Sequence, residues 1–88
     1  MAKSPNQKLK LLYLYQILLQ RTDEEHPITV PQLIGELDLR GIRAERKSVY
    51  DDLEALRLFG LDVQSRKGRS PGWFVGRREF ELPELKLL

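Results

Sequence analysis

The stretch Glu45-Arg46-Lys47-Ser48-Val49-Tyr50-Asp51-Asp52-Leu53-Glu54-Ala55-Leu56-Arg57-Leu58-Phe59-Gly60 decides the fold, together with the Leu61-Asp62-Val63-Gln64-Ser65 that follows it. In its first part Val49, Leu53 and Leu56 recur at helical spacing and fall on one stripe. The segment 45–59 therefore reads as a helix, and Gly60 is a natural residue to stop it. Then the period changes. Leu61, Val63 and Ser65 alternate with polar neighbours, Lys67-Gly68-Arg69-Ser70-Pro71-Gly72 turns the chain, and Trp73-Phe74-Val75 brings it back. That is a β-hairpin over 62–76 whose tip carries Arg66, Lys67 and Arg69. Two strands alone are marginal in water, so the hairpin must lie against helices.

Those helices stand upstream. Before Glu45 comes the turn Arg40-Gly41-Ile42-Arg43-Ala44, with Ile42 as its inward anchor. Before that, Thr29-Val30-Pro31-Gln32 opens a short helix: Thr29 caps, Pro31 suits a first turn, and Gln32 stands where a capping-box partner reaches back. Leu33, Ile34 and Leu37 form its buried face. The first helix starts at Ser4-Pro5 and runs over 6–21, with Leu11, Leu14, Tyr15 and Leu18 at i, i+3, i+4, i+7 spacing. Leu12, Ile17 and Leu19 widen that stripe, which predicts packing on two sides, and Tyr13 and Tyr15 read as core or dimer-interface residues. The acidic stretch 22–27 is a loop, and His26 is a plain loop residue within it.

Three helices followed by a basic hairpin, with a short glycine turn between the second and third helices, is the winged helix-turn-helix layout, a mainly α fold with one small β-hairpin. Residues 1–76 form that single domain, and the apolar tail 77–88 reads as a linker or the start of a connecting helix.

Charge patterning points to a partner. The net charge is +2, but residues 43–78 hold nine basic and five acidic residues and the rest of the chain six basic and eight acidic. A basic half joined to an acidic half is the pattern of a one-sided phosphate-binding surface. With Val49, Leu53 and Leu56 inward, steps of about 100° per residue put Lys47, Asp51 and Glu54 outward, Ser48 and Tyr50 on the flanks and Arg46 nearer the core edge. The start of the third helix thus presents Arg46, Lys47, Ser48 and Tyr50, residue types that reach bases and phosphates. With Arg43 from the preceding turn and Lys67 and Arg69 from the hairpin tip, these form the expected DNA-binding set. Helix 45–59 would enter the major groove, and wing 62–76 would lie on the adjacent backbone or minor groove.

The run from Glu45 to Leu56, with Phe59-Gly60-Leu61 after it, resembles the amino-terminal helix-turn-helix of WYL-domain (DeoR-like) bacterial transcriptional regulators. The family pattern there is basic-basic-Ser/Thr-Val-Tyr-Arg-Asp-Leu-x-x-Leu and then a Gly-Leu/Ile leading into the wing. The likeness extends to Leu82-Pro83-Glu84-Leu85 as the start of a connecting helix. It implies a cytoplasmic, nucleoid-associated regulator that binds double-stranded DNA as a homodimer, its effector held by a carboxyl-terminal WYL domain absent from this chain. One position departs: Asp51 stands where the family usually has arginine, and a carboxylate there repels phosphate but can accept from a cytosine amino group.

Other functions find little material. The chain has no cysteine, and His26 is its only histidine, so no thiolate chemistry, metal cluster or histidine-based triad is expected, nor any cofactor or catalytic residue. No apolar run approaches a membrane span. Asp51, Asp52 and Glu54 read as surface acids, with Asp52 near the core edge as a cap or ion-pair partner. Tyr50 stays open between DNA contact and packing, whereas Trp73 and Phe74 read as wing-to-core packing. The alternative function is a winged-helix protein-interaction module without DNA binding.

Overall fold

A computed structural model describes residues 7–78. The Ser4-Pro5 start signal and residues 79–88 of the expected connecting segment lie outside the described residues. The order is α1 (Gln7–Arg21), α2 (Val30–Leu39), α3 (Arg46–Phe59), β1 (Val63–Arg66) and β2 (Gly72–Val75). The chain is thus mainly helical with one antiparallel hairpin, which pairs Val63 with Val75, Gln64 with Phe74, Ser65 with Trp73 and Arg66 with Gly72. Among the described residues no helix is long and apolar enough to cross a membrane.

Helices begin and end where local chemistry dictates. Thr29 caps α2 by accepting the Gln32 amide at 3.2 Å, and the Gln32 side chain accepts the Thr29 amide at 2.9 Å. At the far end, Gly41 takes φ 79° and the Ile42 N–H reaches back to the Leu37 carbonyl at 2.9 Å. The end of α3 repeats the device: Gly60 has φ 129° and the Leu61 N–H bonds the Leu56 carbonyl at 3.1 Å. In both, the residue after the glycine is buried, so the stop signal also drives an apolar side chain into the core.

The core takes Leu14, Ile17 and Leu18 from α1, Val30, Leu33 and Leu37 from α2, and Val49, Leu53 and Leu56 from α3. Ile42, Leu61, Val63 and Val75 close it from the connections and hairpin. Two expectations need correcting. Of the residues that widen the α1 stripe, Ile17 is buried and Leu19 half-buried, but Leu12 is 60% exposed, so the second side is covered only in part. Ile34 is only half-buried, at the edge of the α2 face rather than within it.

The hairpin is held by more than apolar contact. Ile28, in the α1–α2 connection, pairs with Trp73 through two backbone hydrogen bonds of 2.8 and 2.7 Å, adding a one-residue third strand. That approach requires glycine at 72, where φ is 150° and a Cβ would stand 2.8 Å from the Ile28 carbonyl oxygen. Buried Thr22 adds a second tie, donating its hydroxyl to the Leu18 carbonyl at 2.7 Å and accepting the Val75 N–H at 3.0 Å.

Candidate nucleic-acid interface

The start of α3 lies open. Glu45 precedes it without making a side-chain cap, so the first amides of the helix have no side-chain acceptor. Arg46, Lys47 and Asp51 are exposed on its outer surface. The uncapped end of the backbone dipole adds partial positive charge to that of Arg46 and Lys47.

Tyr50 sits at the rim and serves two neighbours. Its ring meets Trp73 edge-on, centroids 6.0 Å apart, and carries the Arg46 guanidinium 5.8 Å from its centroid. The ring still keeps solvent-exposed surface, so packing and ligand contact are compatible there. Arg46, Tyr50, Lys67, Trp73, Pro31 and Pro71 line one groove between α3 and the hairpin. Its floor is apolar and its edges are cationic, which suits a sugar–phosphate strand or a base edge with phosphate beside it.

The hairpin cations divide. Lys67 and Arg69 are exposed in the turn. Arg66, expected at the tip, is instead the last residue of β1. Its guanidinium lies 5.4 Å from the centroid of the Phe74 ring and donates to the Glu24 carbonyl, so it pins the hairpin to the α1–α2 connection. Phe74 is buried and Trp73 half-buried, both as packing residues.

Ser48 also departs from expectation. Its hydroxyl does not face outward but accepts from the Lys10 ammonium of α1 at 2.7 Å. The same ammonium pairs with Asp52. Lys10 is the buried member, its side chain 4% exposed against 22% for Asp52. Ser48 is therefore a positioning residue that locks α3 to α1. It lines, with Lys10, Arg43 and Glu45, a second hollow on the α1 side of the helix. The expected site residues thus fall into separate places: Arg46, Tyr50 and Lys67 in the groove, Lys47 on the outer face, Arg69 on the turn, and Arg43 with Ser48 in the other hollow.

Charge pairing separates structural cations from uncommitted ones. Arg21 and Arg40 both reach Glu36, Arg57 pairs with Glu54, Lys10 with Asp52, and Arg78 donates to the Thr22 carbonyl. Arg43, Arg46, Lys47, Lys67 and Arg69 have no anionic partner among the described residues; Lys8 and Arg77 share that state. The α1–α2 connection holds a local pair in which His26 Nδ1 lies 2.7 Å from an Asp23 carboxylate oxygen. That hydrogen bond keeps the exposed Asp23 carboxyl below its usual value.

Sequence reading missed Lys10, Pro31 and Pro71 as contributors. Lys10 carried a usable signal, since it stands on the same helical stripe as Leu14 and Ile17, where a charge is out of place without a partner. Among the described residues no three acidic or histidine side chains come together as a metal site. Comparison of the chain with family models, curated proteins and solved structures finds no match.

Proposed function

We propose that this chain is a winged helix-turn-helix domain that binds double-stranded DNA, with α3 in the major groove and the β1–β2 hairpin on the adjacent backbone or minor groove. One observation carries the reading: among the described residues the cations at the start of α3 and in the hairpin turn have no anionic partner, while Lys10, Arg21, Arg40 and Arg57 are held in internal ion pairs. Phosphate contacts need such free cations, and a helix whose amino-terminal end is open and basic fits the major groove. By its resemblance to WYL-domain regulators the domain belongs to a cytoplasmic bacterial transcription regulator. The whole protein would act as a homodimer, with half-sites about 34 Å apart. No catalytic step and no cofactor enters this reading.

Fluorescence-anisotropy titration of a random-sequence duplex at several salt concentrations tests it. Affinity should fall with salt by about 0.9 log units per log unit for each phosphate contacted. The double variants Arg46→Ala with Lys47→Ala and Lys67→Ala with Arg69→Ala should each weaken binding and flatten that slope by up to about two units. A folded protein that binds no duplex at low salt refutes the proposal. Exposure of Leu12, Leu39 and Leu58 favours the second reading, a protein-interaction module, which such a null result would leave standing.

A further inference from the structure

We infer that Lys47 and Asp51 act together as a base-reading pair that selects a guanine and a cytosine in base pairs no more than two steps apart. The inference rests on the duplex-DNA reading above and goes beyond it by naming the sequence class.

The outward acids of α3 are not equivalent. Glu54 is closed, its carboxylate taking hydrogen bonds of 3.2, 3.0 and 2.9 Å from Arg57. Asp52 is turned to Lys10. Asp51 is exposed and has no ion-pair partner among the described residues. Lys47 stands one helical turn before it, at the i, i+4 spacing where opposite charges usually meet, and yet the two do not pair. Both are left for an outside partner.

A carboxylate on this face lowers affinity for any phosphate near Arg46 and Lys47, so backbone contact gives it no use. Base edges do. In the major groove cytosine offers an N4 amino donor and no acceptor of its own, whereas the adenine N6 donor lies beside the N7 acceptor, which repels a second carboxylate oxygen. Asp51 therefore favours cytosine over adenine, and it is repelled by the O6 and N7 acceptors of guanine and the O4 of thymine. Lys47, a donor only, takes those same guanine acceptors. Four residues along a helix rise about 6 Å and turn about 40° past a full circle, against about 3.4 Å per base-pair step. The two side chains hence address neighbouring base pairs, at most two steps apart, along one line of the groove.

The test is selection of bound duplexes from a randomised pool by the 88-residue chain, run in parallel with Asp51→Asn, Asp51→Ala and Lys47→Ala. The wild type should enrich sites with a fixed cytosine and a guanine within two steps. Asp51→Asn should change that cytosine to adenine, because an amide gives one donor and one acceptor to N7 and N6. Asp51→Ala should bind random duplex more tightly and lose its preference at that position, by roughly five- to a hundredfold. Lys47→Ala should relax the guanine alone. An unchanged motif in Asp51→Asn, or a wild-type motif without cytosine, overturns the pairing while leaving duplex binding intact. A folded protein that enriches no duplex overturns the DNA reading itself. Circular dichroism of each variant establishes folding, which substitution at two exposed positions should not disturb.

Discussion

Replacing Lys10 by methionine keeps its apolar stem and removes its charge, so it isolates what the buried ammonium does. In the native structure that ammonium serves both the Ser48 hydroxyl and the Asp52 carboxylate. Removing one member of a fully buried pair costs about 3–5 kcal/mol, mostly for stranding the other charge. Asp52 keeps 22% of its side-chain surface in water and can recover part of its hydration. The expected loss is therefore about 2–3 kcal/mol, below the fully buried range. An 88-residue domain holds roughly 4–13 kcal/mol in all, so the variant should still fold, with its stability reduced. With a urea m-value of about 1–1.5 kcal/mol/M, the unfolding midpoint should drop by about 2 M. The decisive comparison is the double variant Lys10→Met with Asp52→Leu, which strands no charge. It should return to within about 1 kcal/mol of the wild type. A single variant that costs less than about 0.5 kcal/mol, or a double that costs as much as the two singles added, would refute the account of this contact as a buried pair.

Three further outcomes follow from contacts already described. Gly72→Ala should lower stability by at least about 2 kcal/mol, because the new methyl meets the Ile28 backbone and the φ there suits only glycine, and the loss should show as an earlier thermal midpoint. Thr22→Val should cost about 1–3 kcal/mol by leaving the Val75 N–H buried without an acceptor, and it should speed hydrogen exchange at that amide first. Asp23 has its pKa lowered in the folded chain, so its contribution is present above the ordinary carboxylate range and is lost as pH falls below about 4. In His26→Ala the Asp23 carboxyl should titrate higher, nearer its ordinary value, by carbon NMR; an unshifted titration would dismiss the hydrogen bond as its cause.

What the chain made legible were features settled by neighbours in sequence. The Thr29–Gln32 box, the two glycine stops and the change of period after Gly60 each depend on a few adjacent residues, and each is found in place. The three inward residues of α3 follow from period alone. Features that need a distant partner were not legible. Ser48 turns inward because a lysine 38 residues earlier meets it there. Arg66 leaves the hairpin tip for a carbonyl 42 residues earlier and the Phe74 face. Leu12 sits on a stripe that helical spacing marks as apolar, but no element packs over it among the described residues, and local pattern cannot report a missing neighbour. Of the candidate site, the exposed positions of Lys47, Lys67 and Arg69 agree with a reading from helical phase and turn position, whereas Arg46, which phase puts nearer the core edge, is exposed. The shared groove of Arg46, Tyr50, Lys67 and the two prolines depends on how the hairpin, packed against α1 and α3, comes up beside the start of α2, which no local rule specifies.

The ties between the α1–α2 connection and the last strand also set an order of events during synthesis. Thr22 and Val75, which share a hydrogen bond, are separated by 53 residues. A nascent chain that has emerged only as far as Phe59 can form three helices, but the hydroxyl of Thr22 lacks Val75 and the amide of Ile28 lacks Trp73. Helices formed from local contacts gather quickly, whereas long-range strand pairing is slow. The helical part must therefore wait, incompletely closed, until β2 has left the ribosome. The interval between the appearance of Gly60 and that of Val75 is when the unfinished core is most open to proteases and chaperones.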